Sequence, residues 1–380
     1  MKKALLAASL LTVGVAAHAQ SSVTLYGRLD AGLEYMSGAP TGGANGVTTG
    51  SANRFRAESG DWGTSLWGMK GVEDLGGGNK AVFQLEGSFN TMTGQGPGNN
   101  GLFNRWATVG IANDQFGTLL LGRELFISNG VWDFDPFGQS NWSSASLVRG
   151  RNWPQSSNNV SYQSPKIAGF DVYGQYAFSN TTGFNGSGGN PATPGTGREG
   201  GLQVTYTNSL FQLRGLYDEI RDAANGLLDD PFTASREYFV GANLFLGQFK
   251  VQASYTAERT SGGVVTPVGS PTSPSTADME WGGVTWQATA AAALIAAVYH
   301  VNTNNGGGNA TIYTVGGTYN LSKRTLLDFQ VAQVRNSSTA NFGLDANSEG
   351  PGGLTNGSFN ENPTQGRTQT GAYAGIQHSF

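Results

Sequence analysis

The feature that most limits the folds open to this chain is an alternation of apolar and polar side chains, which recurs from residue 22 to the C-terminus. The segment FKVQASYTAE at residues 249–258, for example, carries phenylalanine, valine, alanine and tyrosine at its odd positions and charged or polar residues at its even ones. Successive side chains of a β-strand point to opposite faces. Each such segment therefore predicts a strand with one apolar and one polar face, and together they indicate an all-β fold.

The pattern predicts sixteen strands. They lie at about residues 22–25, 54–70, 80–90, 103–111, 117–123, 157–163, 169–178, 200–207, 210–219, 236–245, 248–258, 279–286, 290–301, 310–319, 325–335 and 368–380. Alternation is least regular at 236–245, 279–286 and 290–301. Alternation alone also fits a soluble sandwich, whose apolar faces are buried against a second sheet.

The connections between the strands separate these two possibilities. Short turns alternate along the chain with long connections that are rich in glycine, asparagine, serine and threonine. The short turns lie at residues 73–79, 112–117, 246–248 and 320–324. The long connections lie near 37–51, 93–101, 180–200, 261–277 and 339–366. Short periplasmic turns at one rim and long extracellular loops at the other are typical of an outer-membrane barrel. We therefore predict a transmembrane antiparallel β-barrel whose sixteen strands enclose a water-filled lumen.

The N-terminal nineteen residues read as a targeting segment. Two lysines precede an apolar run, and Ala17-His18-Ala19 forms a small-x-small cleavage site. The alternative, a membrane-spanning helix, requires roughly 20 apolar residues, which is more than this run provides. We predict a signal peptide at 1–19, followed by a single barrel domain at 20–380 that passes through the periplasm to the outer membrane.

Composition excludes several other functions. The chain has no cysteine, so it can form neither a disulfide framework nor a thiolate metal site. A formal charge of -4 gives no general basic surface for nucleic acid. Of the three histidines one lies in the signal segment, which leaves only His300 and His378 for a catalytic pair. Asp133 and Asp135 form a D-x-D pair without a calcium-loop pattern. We expect no enzymatic activity, no cofactor and no metal site.

Several motifs resemble one family, the general trimeric porins of the β-proteobacterial type in Gram-negative bacteria. They are SSVTLYGRLDAGLEY at 21–35, the segments at 67–86, 103–124 and 158–176, TYNLSKRT at 318–325, and GIQHSF at the end. The resemblance implies a homotrimer surrounded by outer-membrane lipid, through which small hydrophilic solutes and ions diffuse passively. The terminal aromatic residue, Phe380, resembles the signal that the barrel-assembly machinery reads.

The resemblance also implies that the third long loop, at about 124–150, folds into the lumen and forms a constriction. The candidate acids there are Asp133 and Asp135 in the loop. Arg28, Arg105 and either Arg149 or Arg151 match basic family positions on or near the wall, and Arg123 is a secondary candidate. For each of them the alternative is an ordinary solvated charge. Leu66 and Ser161 stand where the family usually has arginines, so we expect weak anion preference or near-neutrality.

Three other functions remain as alternatives. A substrate-selective channel would need a row of lumen-facing aromatic residues; Tyr26 and Tyr173 are predicted to face the lumen, but they form no evident row. A barrel enzyme would need a smaller barrel and paired catalytic groups at its rim. The long loops could also serve as an adhesin in addition to the channel.

Overall fold

The computed structural model describes residues 22–42, 48–96, 101–138, 140–178, 197–261, 274–344, 354–355, 358–359 and 362–380. The predicted signal peptide at 1–19 lies outside these residues. In the described part of the chain, no helix is long and apolar enough to cross a membrane.

The described chain is dominated by antiparallel strands. Their bounds are β1 Ser22–Gly42, β2 Thr48–Glu58, β3 Leu66–Gly76, β4 Asn79–Ser88, β5 Trp106–Asn113, β6 Gly117–Leu125, β7 Gln155–Gln163, β8 Phe170–Ala177, β9 Glu199–Thr207, β10 Phe211–Ile220, β11 Arg236–Leu246, β12 Phe249–Arg259, β13 Thr276–Gln287, β14 Ala292–Thr303, β15 Gly308–Asn320, β16 Thr325–Asn336, β17 Leu354–Thr355, β18 Ser358–Phe359 and β19 Gln369–Ser379. The short strands β17 and β18 pair only with each other, whereas the remaining strands form one sheet.

The sheet closes on itself through β1. One edge of β1 pairs with the last strand, β19, with Arg28 opposite Ser379. The other edge pairs first with β3, from Ser22 opposite Val72 onward, and then with β2, from Gly32 opposite Glu58 onward. Because β2 and β3 follow each other along the same edge, they share one position in the wall. The described sheet is therefore a sixteen-stranded antiparallel barrel, which confirms the predicted fold class.

Two predicted boundaries are wrong at this edge. The first strand was expected only at 22–25, yet β1 continues to Gly42, so residues 37–42 and 48–51 of the predicted long loop belong to strands. The strand expected at 54–70 is interrupted by residues 59–65, which leave the ladder and separate β2 from β3. Gly60 within this interruption has a φ of 87°, a conformation that side chains with a Cβ rarely adopt. We call residues 59–65 the inserted segment.

The two faces of the barrel have the polarity expected of a membrane protein. In β1 the side chains of Val23 and Leu25 are 66 and 60 % exposed on the outside, whereas Asp30 and Glu34 are buried inside. Exposed apolar residues combined with buried polar ones invert the usual arrangement of a soluble protein. An outward apolar band with a polar interior is the arrangement of outer-membrane barrels.

Both ends of the described sheet meet at the rim that carries the short turns. The turn between β3 and β4 contains two glycines with positive φ, and Ser22 pairs with Val72 close to that turn. At the other end of the chain, the backbone of Phe380 exchanges two hydrogen bonds with Gly27, at 3.1 and 3.2 Å. The even number of wall positions thus returns the chain to the rim where it began.

The connection between β6 and β7 does not stay at the rim. It forms a 3-10 helix at Ile127–Phe134 and a short helix, α1, at Ser144–Leu147. We call residues 126–138 and 140–154 the lumen segment, because they pack against the inner wall. The indole of Trp281 on β13 donates to the backbone oxygen of Phe134 at 3.0 Å, and Thr314 on β15 donates to that of Trp142 at 2.7 Å. The apolar core accordingly lies inside the barrel, between this segment and the wall.

Candidate functional site

A cavity of about 680 Å³ lies inside the barrel beside the lumen segment. Its walls come from three places: the lumen segment, the inserted segment together with β1 and β19, and the strands β10–β15. The residues that line it with charged, amide or aromatic side chains are Arg28, Trp62, Trp132, Asp133, Asp135, Phe137, Gln212, Asn243, Phe245, Lys250, Gln252 and Gln377. A cavity of this size inside a barrel is the candidate constriction of the lumen.

Arg28 occupies one side of the cavity. Its Nε donates to the backbone oxygen of Thr64 at 2.9 Å, and the inserted segment passes so close that a Cβ built on Gly63 would lie 3.0 Å from the guanidinium carbon. The neighbouring acid on the same face, Asp30, accepts instead from Tyr373 and Gln377. Within the part of the chain that the structure describes, no carboxylate lies within 4 Å of the Arg28 guanidinium, so its charge faces the cavity.

Asp133 and Lys250 occupy the opposite side. The Asp133 side chain is 60 % exposed, and its Oδ2 lies 2.7 Å from the Nη1 of Arg214. The Nζ of Lys250 lies 3.5 Å from the backbone oxygen of Asp133, which also accepts from Asn243 and a glutamine of β12. Arg214 therefore balances the single exposed acid of the lumen segment, and the charge of Lys250 adds to that of Arg28.

Asp135 lies only two residues away but has a different environment. Its carboxylate is buried, and it accepts from the hydroxyl of Tyr299 at 2.7 Å and from the backbone nitrogens of Phe137 and Ser144 at 2.8 and 3.1 Å. Burial raises the pKa of Asp135 above its ordinary value, although these hydrogen bonds oppose the shift. The side chain fixes the lumen segment to β14.

Arg105 and Arg123 lie elsewhere on the inner wall, among residues of β4 to β7. The Nε of Arg105 is 2.6 Å from Glu86, which also accepts from the hydroxyl of Tyr26. Arg123 donates to the backbone oxygen of Asn104 and to Ser157. Neither arginine lines the cavity described above.

Arg149 and Arg151 hold the end of the lumen segment. Arg149 stacks on Phe342 and Phe232, with its guanidinium carbon 4.1 and 5.1 Å from the ring centroids, and burial lowers its pKa to about 10. The Arg151 guanidinium is fully buried beside Asp218 and Glu237. Burial disfavours its charge, but the neighbouring carboxylates outweigh this effect and raise the pKa of Arg151.

Two further positions bear on the alternatives considered from the sequence. Ser161 donates to Glu124 at 2.7 Å, and Tyr173 donates to the same carboxylate at 3.0 Å. Leu66 pairs across the sheet with Arg28. The two tyrosines considered for an aromatic row, Tyr26 and Tyr173, thus bond to acids of the wall and do not line the cavity.

Sequence reasoning missed several residues at this site. Lys250 lies on the polar face of a regular strand, so its inward direction was predicted, but its depth in the barrel was not. Arg214 carried no motif that pointed to Asp133. Trp62 falls within the strand predicted at 54–70 and Trp132 within the predicted constriction loop, and neither was assigned to the site. Only the packing of the two irregular segments brings them to the cavity.

Comparison with known proteins gives concordant results. The sequence model of a family described as Gram-negative porin matches residues 4–340. Outer membrane porin protein 32 of Delftia acidovorans is 30 % identical over the full length of both chains. Among solved structures, an anion-selective porin from Comamonas acidovorans superposes with a TM-score of 0.75 at 25 % identity, covering 95 % of this chain and all of that one. The trimer form of OmpT from Vibrio cholerae gives a TM-score of 0.63 at 13 % identity over 95 % of this chain and 99 % of that one, a likeness of fold alone.

Proposed function

Because this chain belongs to the Gram-negative porin family and is an outer-membrane channel rather than an enzyme, we propose that small hydrophilic solutes diffuse passively through it with a weak preference for anions. The preference is set where the lumen is narrowest, at the cavity beside the lumen segment. Screening limits the reach of more distant charges to about 8 Å at physiological ionic strength.

One observation carries this proposal: the balance of charge around the cavity. Arg28 and Lys250 line it as bases, whereas the exposed carboxylate of Asp133 is paired with Arg214. Asp135 is buried, and its carboxylate accepts hydrogen bonds from Tyr299 and from two backbone nitrogens of the lumen segment, so it faces the passage less than Asp133 does. A ring of basic side chains at a narrow aqueous passage favours the entry of anions. Because the Asp133–Arg214 pair is close to neutral, only the two bases that line the cavity set the sign of the preference, and we expect the preference to be small.

The other charged residues predicted for the constriction then divide by role. We assign Arg28 and Asp133 to the passage itself. Arg123 contributes a positive field from the wall, Arg105 is neutralised by its ion pair with Glu86, and Asp135, Arg149 and Arg151 hold the lumen segment in place. Opposed acids and bases across the passage set up a transverse field that orients polar solutes.

The assembly proposed for this chain is a homotrimer in outer-membrane lipid. Residues 1–19 would be removed as a signal peptide, and residues 20–380 would form the barrel domain. Phe380, whose ring covers Gly27 at the short-turn rim, would present the C-terminal signal to the assembly machinery. The solved trimer form among the structural neighbours supports this proposal.

The test is the zero-current potential of the purified protein in a planar bilayer under a potassium chloride gradient. We expect a shallow potential of the sign that chloride permeation gives, and conductance steps that occur in threes. A potential of the opposite sign would contradict the proposed selectivity. Single steps of equal size without grouping would contradict the trimer.

A further inference from the structure

The cavity that carries the basic residues also carries aromatic rings. Trp62 from the inserted segment and Trp132 and Phe137 from the lumen segment line it together with Arg28 and Lys250. Purely electrostatic selection of small ions does not require aromatic side chains around the passage. Their presence indicates that the passage recognises more than charge.

The indoles of Trp62 and Trp132 each pack against a neighbouring aromatic ring. The ring of Trp62 meets that of Phe137 edge to face, with centroids 6.0 Å apart and planes at 79°. Trp132 meets Trp153 in the same manner at 6.4 Å. Both Trp62 and Trp132 remain only partly buried, although they pack against the core inside the barrel. Each indole is therefore fixed by a neighbouring ring and still offers surface to the cavity.

The inserted segment brings ring and charge together. It contributes Trp62 and, through the backbone oxygen of Thr64, it also holds the Arg28 guanidinium. On the facing side Trp132 precedes Asp133, whose backbone oxygen lies 3.5 Å from the Lys250 Nζ. Each side of the passage thus offers both a cation and an aromatic ring to the same cavity.

We propose that this constriction transiently binds aromatic carboxylates, with the carboxylate at Arg28 or Lys250 and the ring against Trp62 or Trp132. The proposal rests on the proposed channel function and names the solutes that the passage retains best. Charge-assisted hydrogen bonds to a carboxylate are stronger than neutral ones, and paired aromatic rings attract each other beyond the area that they bury. The volume of about 680 Å³ falls within the range of small-molecule sites. Compared with an aromatic carboxylate, an aliphatic anion lacks the contact with the tryptophan rings, and a neutral aromatic solute lacks the ion pair with Arg28 or Lys250. Both should therefore bind more weakly.

The experiment is a blocking titration of single channels in potassium chloride with three probes. Benzoate carries both features, cyclohexanecarboxylate keeps the charge without the aromatic ring, and benzyl alcohol keeps the ring without the charge. We expect the half-blocking concentration of benzoate to be about three- to tenfold lower than that of either other probe. Equal half-blocking concentrations for the two carboxylates would overturn the proposal on the unmodified protein alone.

Variants locate the effect. Trp62→Leu and Trp132→Leu should each raise the half-blocking concentration of benzoate about threefold or more, while that of cyclohexanecarboxylate stays the same. Trp286→Leu is the matched control, because Trp286 is 40 % exposed on the barrel and does not line the cavity. An unchanged benzoate block in both cavity variants would overturn the assignment.

The outcomes also separate this inference from the channel function. A protein that conducts potassium chloride with the expected anion sign but is not blocked by benzoate retains the proposed function and refutes the binding site. A folded barrel without conductance refutes both.

Discussion

Arg151 and Asp218 join the lumen segment to the wall through a fully buried ion pair, with the Nη2 of Arg151 2.5 Å from the Oδ1 of Asp218. Ser235 accepts from the same guanidinium through its hydroxyl and its backbone oxygen. Glu237 and Glu258 are also buried nearby. One cation thus serves several acids inside the barrel.

Replacing Arg151 should therefore be costly. Arg151→Met leaves the surrounding carboxylates without their cation, and breaking a buried pair in this way destabilises a protein by about 3–5 kcal/mol. We expect a lower thermal unfolding midpoint in detergent, together with larger fluctuations of the open-channel current. Arg151→Lys keeps the charge but not the forked donor geometry, so its unfolding midpoint should lie between those of the unmodified protein and Arg151→Met. A midpoint for Arg151→Met equal to that of the unmodified protein would refute the anchoring role.

Lys250 should determine part of the ion preference. Lys250→Gln removes one of the two unpaired positive charges at the cavity and keeps the length and polarity of the side chain nearly unchanged. We expect the zero-current potential to move toward zero while the protein remains folded. Lys80→Gln is the matched control, since Lys80 pairs with Asp114 at the short-turn rim, away from the cavity. If both variants shift the potential equally, position within the lumen does not matter.

Asp133 should act in the opposite direction. Asp133→Asn removes the exposed carboxylate and leaves Arg214 without its counter-charge, so the passage becomes more positive. The zero-current potential should then grow in the direction that chloride permeation gives. Stability should change by no more than about 1 kcal/mol, because the carboxylate is largely exposed. A reduced anion preference would contradict the charge balance described above.

Asp135 should make stability depend on pH. Its raised pKa means that the folded protein binds the proton more tightly than the unfolded chain does. Stability contributed at this site therefore increases as the pH falls from neutral through the raised pKa toward the ordinary value of 3.8. Asp135→Asn lacks this proton, so the unfolding midpoints of the two proteins should diverge in favour of the unmodified one as the pH is lowered. Parallel midpoints between pH 8 and 4 would show that Asp135 does not titrate in this range.

Most of the barrel follows from the sequence because its physical cause is local. In a strand between lipid and water, apolar and polar side chains must alternate, and this pattern can be found in the sequence. The bounds of β12 and β16 accordingly agree with prediction to within one or two residues. The break between β2 and β3 was missed, because it depends on how both strands share the edge of β1. That pairing joins residues that are distant along the chain.

At the candidate site, too, the sequence predicts local features but not contacts between residues that are distant along the chain. Asp133 and Asp135 are indistinguishable as letters in DFDPFG, yet one is exposed beside Arg214 and the other is buried beside Tyr299. The partner of Asp135 lies 164 residues away in the sequence. The sequence could identify the acids of the loop, but only the folded barrel separates the one that faces the passage from the one that anchors the segment.

The shared position of β2 and β3 makes the inserted segment a site where the chain can be edited. Residues added or removed there lengthen or shorten an inward arm without changing the parity of the wall, the tilt of its strands or the rim to which the chain returns. The width of the passage can then change during evolution while the lipid-facing surface of the barrel stays the same. The inserted segment is therefore also a suitable place at which to introduce a different solute-binding segment into the pore.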